Sequence, residues 1–134
     1  MREILFRGKD FSGVINHSWC FGSLDTTEDG RAIIIYPDRF GNKCRIFVNP
    51  ETVGQYAELK DKNGTKIFEG DIVKRFWFGK MCIYQIDYDN GLASFIGRAG
   101  MKFTTFDYDS AEFEVVGNIH DNPELLRGND NAER

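Results

Sequence analysis

Cysteine, proline and histidine are all rare in this chain, at three, three and two of 134 residues. Cys20, Cys44 and Cys82 are odd in number and far apart. A secreted disulfide scaffold needs an even set and a zinc site needs paired C-x-x-C spacing, so both are excluded. Free thiols, buried or half-buried, are expected instead. No stretch approaches the roughly 18 consecutive apolar residues of a membrane span. The opening Met1-Arg2-Glu3-Ile4 has no apolar signal run. The expectation is a cytoplasmic protein with no membrane partner. Positive charge is missing too. The formal net charge is −4, whereas gripping duplex nucleic acid takes a basic field whose bound counterions are released. Lys60, Lys62, Lys66, Lys74, Arg75 and Lys80 do lie close in sequence, and the ordinary reading of such a run is a solvated surface.

Catalytic signatures are equally scarce. There is no G-x-S-x-G, no H-E-x-x-H and no Cys-His pattern. His17 and Cys20, three apart, would face opposite sides of a strand, and no signature places His120 near a nucleophile. Gly97-Arg98-Ala99-Gly100 is too short for a phosphate loop. No cofactor is implied, and a non-enzymatic protein is expected.

What is abundant is aromatic. Twelve Phe, five Tyr and two Trp make 14% of the chain, while Leu is scarce. That balance favours strands over helical bundles. Apolar and charged fractions of 41% and 28% are those of an ordinary folded domain. Short β-prone runs recur between turn signals: Arg31–Tyr36, Cys44–Val48, Thr52–Leu59, Ile72–Phe78, Met81–Tyr88, Leu92–Gly97 and Glu112–Ile119. Asp61-Lys62-Asn63-Gly64 and Asp89-Asn90-Gly91 read as hairpin turns, and Gly64, Gly91 and Gly117 are expected to set turns. Asn122-Pro123-Glu124-Leu125-Leu126 reads as one capped helical turn.

The fold expectation is therefore mostly β: an antiparallel small barrel or sandwich with one short C-terminal helical turn. Residues 1–126 are expected as a single compact unit, comprising an N-terminal β region (1–65) and an SH3-like β region (66–120). A flexible tail is expected over 127–134.

Four blocks carry a family resemblance. They are Met1-Arg2-Glu3-Ile4 with Phe6-Arg7-Gly8-Lys9; Pro50 to Tyr56, Leu59 to Gly64 and Ile67 to Val73; the Tyr84 to Gly91 strand and turn; and Glu114 to Ile119 followed by Asp121 to Leu126. In this order they resemble the YopX family of phage and prophage proteins. The resemblance implies a phage or prophage origin and no assigned reaction. Where that family usually carries Thr-Gly ahead of the Leu-Lys-Asp block, this chain has Ala57-Glu58. Only the local backbone geometry at position 58 is put in question.

Two constellations invite a functional reading. Asp87 and Asp89 flank Tyr88, and Asp107 and Asp109 flank Tyr108, so two D-x-D pairs brought together would offer oxygen ligands to Mg²⁺ or Ca²⁺. The ordinary reading is solvated strand ends. Asp61-Lys62-Asn63-Gly64 fails as a calcium loop, since its sixth and twelfth positions are Lys66 and Ile72. The more suggestive pattern is Lys74-Arg75-Phe76-Trp77-Phe78-Gly79-Lys80. Rings beside cations can hold a peptide's apolar side chains or stack bases. Core packing is the ordinary fate of such rings, and strand alternation would bury Trp77 or else Phe76 and Phe78. Lys74, Arg75, Phe76, Trp77, Phe78 and Lys80 are the candidate binding patch. The function expected is a protein-interaction module, with self-association left open. The alternatives are single-stranded nucleic-acid binding and a metal-dependent enzyme built on the four aspartates.

Overall fold

The computed structural model describes residues 2–106 and 112–127, and in them the β-branched and aromatic runs have become antiparallel strands. These are β1 (Phe6–Lys9), β2 (Trp19–Thr26), β3 (Ala32–Pro37), β4 (Lys43–Val48), β5 (Gly54–Lys60), β6 (Lys66–Phe68), β7 (Asp71–Trp77), β8 (Lys80–Asp89), β9 (Ser94–Ala99), β10 (Lys102–Thr104) and β11 (Glu114–Asn118). A 3-10 turn spans Pro50–Thr52, and residues 124–127 form one helical turn. The hydrogen-bonded orders are β4-β3-β2-β1-β5-β6 and β10-β9-β8-β7-β11. The chain divides into two compact units, Met1–Tyr56 and Ala57–Arg134, passing from one to the other within β5.

In the first unit β2, β3 and β4 form a meander, and β1 lies on the far side of β2. Alternation drives one set of side chains inward: Cys20, Ala32, Ile34, Ile46 and Val48 form its core. Gly22 has to be glycine here, because a Cβ would fall 2.1 Å from the Ile35 carbonyl oxygen. Beyond β1 the buried Asp10 organises the 10–18 loop. Its carboxylate accepts from Ser12 N–H and Oγ, Ile15 N–H and His17 N–H. Burial acts to raise the Asp10 pKa, but those donors outweigh it and hold the group below the usual carboxylate value.

In the second unit β7 to β10 run as a meander, and β11 returns beside β7. Its core is Ala57, Ile67, Val73, Tyr84, Ile86, Ala99 and Phe113, with Tyr84 and Phe106 meeting Phe113 edge to face. Mostly antiparallel β was expected and is found; of the barrel or sandwich expected, the barrel gives way to an open sheet in the region 66–120 read as SH3-like. Among the described residues no ladder joins the edges β10 and β11, and β10, three residues long, offers little backbone to close with. The expected tail falls largely on residues 128–134, outside the described residues.

Two of the three glycine expectations also need correction. Gly64 does take a left-handed φ of 81°. The β8–β9 turn instead places Ala93 at φ 50°, while the Asp89 carboxylate accepts from Gly91 and Leu92 N–H. Asp89 pairs with Ser94 across this turn, so the loop runs through Asn90–Ala93 rather than being the tight Asn-Gly turn. Gly117 lies within β11, where a Cβ would sit 2.6 Å from Asn122 Oδ1.

Asp61 ties the second unit together. It is 5% exposed. Its Oδ1 accepts from Asn63 and Thr65 N–H, and its Oδ2 accepts from Val115 N–H at 2.9 Å, 54 residues away. Burial pushes its pKa up, and the Val115, Thr65 and Asn63 donors more than reverse that, leaving it lowered. The stability it contributes is therefore complete above the ordinary unfolded carboxylate value, about pH 4, and fades as pH falls below it. Asp61→Ala strands three N–H donors and is expected to cost about 3 kcal/mol in denaturant unfolding. Asp61→Asn should cost less and remove this part of the acid-unfolding profile. An unchanged acid midpoint in that variant would show that the carboxylate's charge is not what these donors stabilise.

Position 58 answers the question raised by the resemblance. Glu58 sits at φ 65°, in the left-handed region. An L side chain there costs roughly 1–2 kcal/mol, against roughly 0.5–1 kcal/mol for the entropy of glycine. Glu58→Gly is expected to raise stability by about 0.5–1 kcal/mol, read as a higher thermal midpoint.

Candidate functional site

The Lys74–Lys80 segment is the end of the β7–β8 hairpin. The last ladder pair is Trp77↔Lys80, so the turn is Phe78-Gly79, with φ of 48° and 77°. These angles belong to a two-residue turn with both central residues left-handed, a geometry that suits Asn-Gly and strains Phe. The β7–β11 ladder reaches only to Lys74↔Glu114, and the β8–β9 ladder starts at Gln85↔Arg98. The hairpin tip therefore runs beyond the ladders that flank it.

That projection decides the fate of the rings. Alternation buries a side chain only where a second layer lies beneath it, and among the described residues none lies beneath the tip. Phe76, Trp77 and Phe78 are 66%, 42% and 90% exposed, which corrects the ordinary expectation of core packing. Trp77 is partly shielded by Phe78, edge to face at 4.9 Å, and by the Arg75 guanidinium 4.4 Å from its ring centre.

The cations of the patch are not equivalent. Arg75 is largely buried; it donates to the Tyr84 hydroxyl at 3.3 Å, lies 4.8 Å from the Phe113 ring centre and pairs with Glu112 at 3.7 Å. Burial raises the Tyr84 pKa, with the Arg75 hydrogen bond pulling partly against it. Lys74 shares Glu114 with Lys62, at 3.6 and 3.3 Å. Lys80 is exposed at the start of β8.

Sequence reasoning missed a second hairpin. Ala99↔Lys102 closes the β9–β10 pair around Gly100-Met101, with Gly100 at φ 61°. The Gly-X pair between two β-prone runs is the signal that would have found it. Because β9 runs antiparallel to β8, this tip emerges at the same end of the sheet as the first. It adds Met101, 98% exposed, and Phe103, while Met81 faces Phe76 across the first hairpin.

The aspartates do not assemble a metal centre in the described residues. Asp87 and Asp89 both pair with Arg98, at 3.0 and 3.6 Å, and Gln85 donates to Asp87. Asp107 and Asp109 lie outside the described residues. Among the described residues no group of three or more His, Cys, Asp or Glu is placed to hold a metal ion. His17 sits in the 10–18 loop at φ 58° with its Nδ1 3.0 Å from the Asp10 carbonyl oxygen, and Cys20 is core. No helix among the described residues is long and apolar enough to cross a membrane.

The motifs that carry the family resemblance converge on framework contacts rather than on this tip. Asp61 binds Val115, Lys62 N–H donates to the Phe113 carbonyl, Ile119 N–H donates to the Gly70 carbonyl, and Asn118 accepts from His120 and Asp121 N–H. A crystal structure of protein EF1440 from Enterococcus faecalis is similar in fold, with a TM-score of 0.56 at 23% identity over 94% of this chain and 99% of that one. No curated protein matches. The family model described as YopX protein matches residues 6–127. With most of its length so matched, from β1 through the C-terminal helical turn, the chain belongs to the YopX family.

Proposed function

We propose that this chain is a non-enzymatic accessory protein of phage or prophage origin, acting in the cytoplasm, that binds a protein partner through the two hairpin tips of its second unit. Phe78 is the observation that carries the reading. A large ring stands 90% exposed on a backbone at φ 48°. Exposure and strain are each unfavourable, and among the described residues only an edge contact with Trp77 offsets them. A partner that covers the ring supplies the missing compensation. Phe76, Trp77, Met81, Met101 and Phe103 extend the apolar surface around it.

Single-stranded nucleic acid is less well supported. Lys74 and Arg75 are engaged by Glu114 and Glu112, which leaves too few cations for strong counterion release. A metal-dependent enzyme is supported least, since Arg98 already occupies both Asp87 and Asp89.

Affinity capture from phage-induced cells, with and without nuclease, tests the proposal. The expected result is a protein partner that survives nuclease, binds with weak salt dependence and is lost with Phe78→Asn and Trp77→Ala. Asn tolerates the left-handed turn, so Phe78→Asn should leave the thermal midpoint unchanged or higher. Capture that nuclease abolishes, or that both variants leave intact, would sink the reading.

A further inference from the structure

We infer that the segment this end of the sheet accepts is apolar and carries acidic side chains. The inference rests on the reading of the tips as a protein-binding surface and names the chemistry of what they bind.

Among the described residues the charge around the tips is one-sided. The sequence from Ile72 to Ile86 contains no Asp or Glu, and neither does that from Asn90 to Phe106, in a chain whose net charge is −4. Among the described residues two acids lie by register at this end, Glu114 opposite Lys74 and Glu112 just before it. They are engaged by Lys62, Lys74 and Arg75. Lys80 and Lys102 are exposed, and no carboxylate in the described residues neutralises them.

Register places these two lysines on one face of the sheet. Trp77 pairs with Lys80, and Ala99 pairs with Lys102. Lys80 lies on the same face of β8 as Ile86, whose partner Gly97 shares its face of β9 with Ala99. Trp77, Lys80 and Lys102 thus rim one face, while Phe76, Met81 and Phe103 lie on the other, with Phe78 and Met101 at the tips. A segment that lies over Trp77 and the tip residues Phe78 and Met101 on the lysine face brings its own side chains toward both ammonium groups. Burying them beside apolar surface without a counter-charge is costly, so carboxylates on the partner are favoured and cations rejected. A second copy docking tip to tip would set lysine against lysine. The same argument disfavours it.

The probe is a surface-displayed library of random peptides, selected on the full-length protein and on the double variant Lys80→Glu/Lys102→Glu. The native protein should enrich peptides that alternate or cluster apolar residues with Asp and Glu. The double variant should bind those peptides at least roughly tenfold more weakly and enrich Lys- and Arg-bearing ones. Both lysines are exposed, so an unchanged thermal midpoint checks that folding is intact. Enrichment that Phe78→Asn abolishes, but that is neutral or basic in composition or identical for both proteins, overturns the acidic-partner inference and leaves the protein-binding reading standing. No enrichment over Phe78→Asn overturns both. Tighter binding of the native tips to phosphatidylglycerol vesicles or to an oligo-dT strand than to any selected peptide likewise overturns both.

Discussion

Three backbone N–H groups, from Asn63, Thr65 and Val115, end on the buried carboxylate of Asp61. A turn and a distant strand are thereby held by one side chain, and Lys62 N–H adds a bond to the Phe113 carbonyl beside it. Phe113 is the ring on which Tyr84 and Phe106 pack and over which Arg75 lies. Arg75 in turn lies against Trp77 at the hairpin tip. The path from a polar turn to the exposed rings is therefore continuous. It explains why residues that look family-like are framework residues: they set the position of Phe113, and Phe113 supports the guanidinium that shields Trp77.

Against that rigid base the hairpin tips break local rules. Phe78 occupies a position suited to asparagine, and large apolar side chains stand exposed on both tips. Departures from local consistency concentrate at functional sites, since a sequence under selection for stability alone removes them. Glu58 and the 10–18 loop, where Asn16 and His17 have φ of 64° and 58°, also break the rule. In the loop the Asp10 carboxylate compensates by accepting several N–H bonds. Among the described residues Phe78 has only the Trp77 ring beside it.

Much of the strand content was legible. Ala32 to Tyr36 and Cys44 to Val48 are β-branched or alternating runs, and β3 and β4 follow them within a residue or two. The Asp61–Gly64 turn was legible because Gly64 must supply a left-handed φ and Asp61 can bond its own turn. The β8–β9 turn was misread because Asp89 captures two N–H groups and moves the left-handed residue to Ala93. Gly117 was misread for a different reason: it makes room for the Asn122 side chain, a neighbour that becomes close only when the chain folds back after β11.

By itself the sequence determined the class of this protein. Aromatic and β-branched runs at strand spacing specify an antiparallel β fold, because those side chains fit a pleated surface. Four ordered blocks identify the family. The tertiary structure decided which rings are exposed. Whether Phe76, Trp77 and Phe78 are buried depends on whether another layer lies over them, and that follows from where the β11 and β9 ladders stop. Which cations are paired depends equally on distant partners: Glu112 and Glu114 pair with Arg75 and Lys74, while Lys80 and Lys102 stand at turns where, among the described residues, no ion pair with those acids forms. Burial and charge pairing are long-range properties, whereas strand propensity is local.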